Sequence, residues 1–163
     1  MSRSRKVRIP KFVLPNRLKI YISLIKKEIK LYHGVRPLLN YLHRNKFNML
    51  ITSSAHNNII KYNAKKLGIR KYFKGILGKK DVTHRKPSPE IYRKAHKILG
   101  LKAKECVVFE DSLVGVTAAK RAGCYCIAVT SSFSRKELNK DGADLIVSRL
   151  DDPKVFKFIN SIE

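Results

Sequence analysis

Short apolar runs alternate with helix-patterned segments that stop at glycine, and this alternation constrains the fold more than any other feature. The runs Phe47–Ile51, Gly75–Leu77, Cys106–Phe109, Tyr125–Val129 and Leu145–Val147 have the length and composition of buried strands. Between them lie helical patterns: His56–Leu67 stopped by Gly68, Pro87–Leu99 by Gly100, and Val114–Ala122 by Gly123. Pro37 opens a segment whose Leu38, Leu39 and Leu42 face a core. Ser134 caps a short helix, and Pro153–Ile159 forms a last one. Strands that alternate with helices cannot pair as hairpins. They predict βαβ units, hence an α/β architecture of three layers with a parallel sheet and helices on both faces.

The chain has 163 residues, the size of one domain, and 44% of them are hydrophobic, enough for a buried core. No apolar run approaches the ~18 residues of a membrane span, and no signal peptide is evident, so the expected home is cytoplasmic. Cys106, Cys124 and Cys126 are odd in number and sit in apolar runs. They read as buried small hydrophobes in a reducing compartment rather than as a disulfide or zinc framework. The charge is unusual: 36 Lys and Arg against 12 Asp and Glu, net +24. That field attracts polyanions such as RNA without sequence preference, through counterion release. A lysine-rich bias over solvated faces gives the same count. The basic residues are scattered, and densest before Leu31.

In an open parallel sheet, ligands bind beyond the carboxyl ends of the strands. Three polar clusters fall there. Thr52-Ser53-Ser54 follows one strand and precedes a helix. Taken alone it reads as a helix N-cap, and the same place suits an anion. In Arg85-Lys86-Pro87-Ser88-Pro89, Pro87 holds Lys86 extended, so that its ammonium projects toward the cleft and suits phosphate. Glu110-Asp111-Ser112 ends another apolar strand. Two adjacent carboxylates there repel unless compensated, and a hard cation with oxygen ligands removes the conflict. A helix start is the simpler account. The metal reading leads because all three clusters share one rim.

These strings, in order, resemble one family. A strand ending in Thr52-Ser53, then Lys86-Pro87-x-Pro89-Glu90-Ile91-Tyr92, then Val107-Val108-Phe109-Glu110-Asp111-Ser112-x-x-Gly115 is similar to the haloacid dehalogenase (HAD) superfamily, nearest its phosphoglycolate phosphatase and β-phosphoglucomutase group. The match covers roughly residues 32–147. The resemblance implies a Rossmann-like HAD core and a Mg2+-dependent phosphohydrolase acting on a small phosphorylated metabolite. It implies that Thr52, with Ser53, binds the transferring phosphoryl group, and that Lys86 neutralises charge on nucleophile and phosphate. Asp111, supported by Glu110, would help hold Mg2+. It divides the chain into a basic arm at 1–16, a cap-helix remnant at 17–33 and the core domain at 34–163.

One departure from the family's pattern decides what to expect. The family's reaction begins with an aspartate nucleophile in an Asp-x-Asp-Gly-Thr motif ending the first strand, with the second Asp as general acid and base. Before Asp81 the only carboxylate in this sequence is Glu28. The missing strand is the central one, between those ending at Thr52 and Glu110. Its absence leaves a gap of roughly 9–10 Å lined by unpaired backbone groups. Either the flanking strands close up, or Val7–Leu14 fills the slot, or a complementing N-terminal fragment does. The sequence thus predicts a truncated or degenerate HAD phosphatase, inactive as this chain alone. The alternative is a non-catalytic basic HAD-fold module that binds RNA or a ribonucleoprotein.

Overall fold

The computed structural model describes residues 29–162, which lie almost entirely in one compact unit spanning Leu31–Glu163. The arm expected at 1–16, the slot-filling Val7–Leu14 and the helical pattern as far as Glu28 lie outside the described residues. Ile29–Tyr32, the end of that pattern, carry no helix.

Six helices and five strands alternate: α1 (Val35–Arg44), β1 (Leu50–Thr52), α2 (Asn57–Lys66), β2 (Gly75–Leu77), α3 (Glu90–Leu99), β3 (Val107–Glu110), α4 (Leu113–Arg121), β4 (Tyr125–Val129), α5 (Arg135–Lys140), β5 (Leu145–Val147) and α6 (Pro153–Asn160). All strand pairs are parallel, as the alternation requires. The helix starts are chemically specified. Ser112 accepts from the Gly115 amide at 3.2 Å, Ser134 and Glu137 form a capping box, and Asp152 accepts from the Lys154 amide at 2.9 Å with Pro153 next. α1 begins instead at Gly34, whose φ of 82° and position against the Asp151 backbone leave no room for a side chain.

Two starts lie later than the sequence pattern by more than one residue. β1 begins at Leu50 rather than Phe47, because its partner β2 offers only three residues and Phe47 turns back to bond the Leu42 carbonyl. α3 begins at Glu90 rather than Pro87, because Arg85 to Ser88 forms a turn and Lys86–Pro87 is cis.

β4 shows how the layers are built. Cys126 and Ala128 point into one core, with Tyr92, Ala95, Val116, Ala119 and Leu138 from α3, α4 and α5. Ile127 and Val129 point into the other, with Leu38, Leu39 and Leu42 of α1 and Val155 and Ile159 of α6. Residues of β1 and its lead-in divide the same way, Leu50 into the first core and Met49 into the second. The first core therefore takes residues from all five strands, and the second from β3, β4 and β5 with the Met49 lead-in to β1.

The sheet itself is split. β1 pairs with β2, β3 with β4, and β4 with β5. β1 and β3 do not pair with one another. The two strands at the split are also the less covered ones. Every residue of β1 is half-buried, as are Val107, Val108 and Phe109 of β3, whereas Cys126 to Val129 of β4 are fully buried. The flanking strands have not closed up. Among the described residues no strand lies between β1 and β3. No helix among the described residues is long and apolar enough to cross a membrane.

Candidate active site

The carboxyl ends of β1 and β3 carry Thr52 and Glu110, and the segment between β2 and α3 carries Lys86. The structure brings these three together through a fourth residue, Tyr92. The Tyr92 hydroxyl donates to Glu110 Oε1, and the Thr52 side chain lies beside it. Lys86 Nζ pairs with the same carboxylate, and Ser112 Oγ donates to Oε2 at 3.0 Å. The Lys86 and Glu110 side chains are each only 7% exposed, so this is a buried ion pair and not one more surface lysine. Burial, and then the Glu110 charge, push the Tyr92 hydroxyl far above its ordinary pKa, so it stays a proton donor.

Local sequence explains the placement. Glu90, the first residue of α3, accepts from the Thr83 amide at 3.0 Å and the His84 amide at 2.8 Å, and pairs with Lys94 at 3.0 Å. These bonds, the His84 amide first, hold its carboxyl down at about 2. They also fix the turn that aims Lys86 inward. Asp81 does similar work at the exit of β2. It accepts from the Gly78 amide and from Asn57 Nδ2, both at 2.6 Å, and so ties the start of α2 to the rim. On the far side, Gly115 makes room for Glu110. A Cβ there would sit 2.6 Å from Oε1 and closer still to Oε2.

The hydroxyl cluster is not spent on capping α2. The cap position is His56, with no side-chain bond, and Ser53 Oγ accepts from the Ala55 amide at 3.1 Å within its own turn. Thr52 and Ser53 thus stand beside a helix start whose first amides are uncapped by any side chain. Asp111 is exposed and separate from the buried network. Its Oδ2 accepts from Ser132 at 2.8 Å and Ser131 at 3.3 Å, beyond the end of β4.

Lys86 and Glu110 therefore share one network with Tyr92 beside Thr52, while Ser53 and Asp111 sit on the same rim outside it. Tyr92 and Ser112 were not singled out for roles by the sequence. The signals for Tyr92 are its place in the quoted Lys86–Tyr92 motif and beside Ile91 on the buried face of α3.

The family model of haloacid dehalogenase-like hydrolases matches residues 3–129. The chain belongs to this family. It is 32% identical over 123 residues to the chloroplastic 5-amino-6-(5-phospho-D-ribitylamino)uracil phosphatase of Arabidopsis thaliana, covering 76% of this chain and 32% of that protein. It is 30% identical over 101 residues to fructose-1-phosphate phosphatase YqaB of Escherichia coli (strain K12), covering 62% of this chain and 48% of that one. The fold matches CbbY from Rhodobacter sphaeroides in complex with phosphate, with a TM-score of 0.83 at 24% identity over 96% of this chain and 73% of that one. The chain thus spans less than two thirds of the length of these curated relatives.

The donor set for a metal is partial. Among the described residues, no group of three or more His, Cys, Asp or Glu side chains stands ready for a cation. Glu110 already accepts from Lys86, Tyr92 and Ser112, which leaves Asp111 as the carboxylate open to solvent. Mg2+ asks for one or two carboxylates beside phosphate and water. Of the pair expected to hold Mg2+, Asp111 is the carboxylate that can supply one.

Proposed function

We propose that this rim is the phosphoryl-binding half of a HAD phosphohydrolase site for a small phosphorylated metabolite. The observation that carries it is the buried network of Lys86, Tyr92 and Glu110 at the split in the sheet, with Thr52 beside the Tyr92 hydroxyl. A binding module has no physical need for a buried ammonium held at the carboxyl ends of two strands. Lys86 gives one of its three N–H donors to Glu110, and the others are free to meet phosphoryl oxygens. Thr52 and Ser53 add hydroxyls beside the α2 start. Such groups stabilise charge as a phosphoryl group moves. Mg2+ bound at Asp111 would shield the phosphate's charge. The sequence holds no Asp-x-Asp-Gly-Thr motif, so this half of the site carries no nucleophile of that kind. Three unbridged thiols suit a reducing compartment, the cytoplasm.

The test is turnover of phosphate esters by this chain in Mg2+, with Lys86→Ala alongside. No turnover is expected. Steady turnover abolished by Lys86→Ala would show that a nucleophile lies within the chain. The net charge of +24 favours a second reading, a non-catalytic module that holds RNA. Its mark is binding that falls steeply with salt. Binding unaffected by salt, or none at low salt, removes it.

A further inference from the structure

We propose that Cys106 and Cys124 form a reversible thiol–disulfide site, oxidised by a hydroperoxide. Three observations place the two sulfurs together. β3 and β4 run parallel with Val107 opposite Tyr125, so the preceding residues, Cys106 and Cys124, are also opposite one another. The Tyr125 amide bonds the Cys106 carbonyl at 3.0 Å, which fixes the two backbones side by side. Adjacent strands lie about 4.8 Å apart, inside the Cα separation that a disulfide spans. Both side chains face the same core, the one shared by α3, α4 and α5, and the Cys106 thiol donates to the Lys102 carbonyl at 3.4 Å.

The pair is asymmetric in the way a two-step oxidation needs. Cys106 is half-buried and Cys124 fully buried. The Cys124 thiol lowers the pKa of Cys106, and Cys106, with burial, raises that of Cys124. Cys106 is therefore the thiolate that meets the oxidant. Its sulfur attacks one peroxide oxygen. An S–O bond forms, the O–O bond breaks, and hydroxide leaves to take up a proton as water. The Cys124 sulfur then attacks the sulfenic acid, forming the S–S bond, and the second oxygen departs as water with the remaining proton. Two thiols and one hydroperoxide molecule give one disulfide and two hydroxylic products, with two electrons passed to the peroxide. Any dithiol reductant reverses the link.

Cys126 serves as the internal control. It lies two residues along β4 on the same face, is fully buried, and burial pushes its thiol up to about 12. It should neither react nor pair. The link would sit at the amino ends of β3 and β4, away from the Glu110 end, so it braces the strand edge without disturbing the rim.

The experiment treats the full chain with hydrogen peroxide, digests it without reduction and maps the peptides by mass. The expected result is a Cys106–Cys124 linked pair, with free thiols falling from three to one. A dithiol should restore all three. Closing this loop should raise the melting temperature by roughly 6–10 °C. Cys124→Ser should give a sulfenic acid at Cys106 and no link. Unchanged thiols, a Cys124–Cys126 pair, or Cys106 oxidised alone in the parent chain would each overturn the proposal.

Discussion

Replacing Lys86 with methionine keeps the bulk of the side chain and removes its charge. The Glu110 carboxylate then stays buried with only the Tyr92 and Ser112 hydroxyls as donors. Both partners of the ion pair are 7% exposed, so solvent cannot take the place of the lost cation. Breaking such a pair from one side costs about 3–5 kcal/mol, and the two remaining donors argue for the lower end. Against a total stability of about 5–15 kcal/mol, that is a large share. In urea, at a slope near 2 kcal/mol/M, the midpoint should fall by about 1.5 M. Adding Glu110→Gln removes the stranded charge and should recover a good part of the loss, since the two sites share one interaction. The assay is urea unfolding followed by circular dichroism for both single variants and the double. A Lys86→Met midpoint within about 0.3 M of the parent, at the same slope, would refute the buried pair.

Two further outcomes follow from the same site. Gly115→Ala gains helix propensity at α4, yet its methyl overlaps the Glu110 carboxylate, so it should destabilise by about 1–3 kcal/mol in thermal unfolding, and a neutral or stabilised variant would contradict that packing. Glu90 has a folded pKa of about 2 against an ordinary 4.5, so its contribution is complete above pH 4.5 and is lost as pH falls through 2. The gap in urea midpoint between the parent and Glu90→Gln should therefore narrow across that window; a gap independent of pH would mean that Glu90 does not hold the Lys86 turn as an anion.

Strand identity was legible wherever local pattern decides it. Gly75–Leu77, Tyr125–Val129 and Leu145–Val147 stand where the apolar runs put them, and Ser134 and Pro153 open helices as read. The rim was legible too, because residues just past strand ends must share one edge of a parallel sheet. What the chain pattern does not encode is which polar groups meet. Tyr92 reads as one more apolar helix position, and only the packing of α3 under β1 and β3 sets its hydroxyl between Thr52 and Glu110. Glu110 and Asp111 are neighbours in sequence, yet strand alternation turns one inward and the other out. The Cys106–Cys124 contact likewise depends on the register of β3 against β4, which no single run carries.

The central claim is that the site lies between two sheet halves that no strand joins among the described residues, and that the family's first strand would complete it. Adding a peptide with the family's first strand and its Asp-x-Asp-Gly-Thr loop tests it most directly, with thermal unfolding followed in Mg2+ and in chelator alongside phosphate-ester hydrolysis. The account predicts a higher melting temperature with peptide, a larger rise in Mg2+ because metal binding to the folded form adds to its stability, and turnover that depends on Lys86. A chain that melts cooperatively by itself, with neither melting nor activity changed by the peptide, would contradict it.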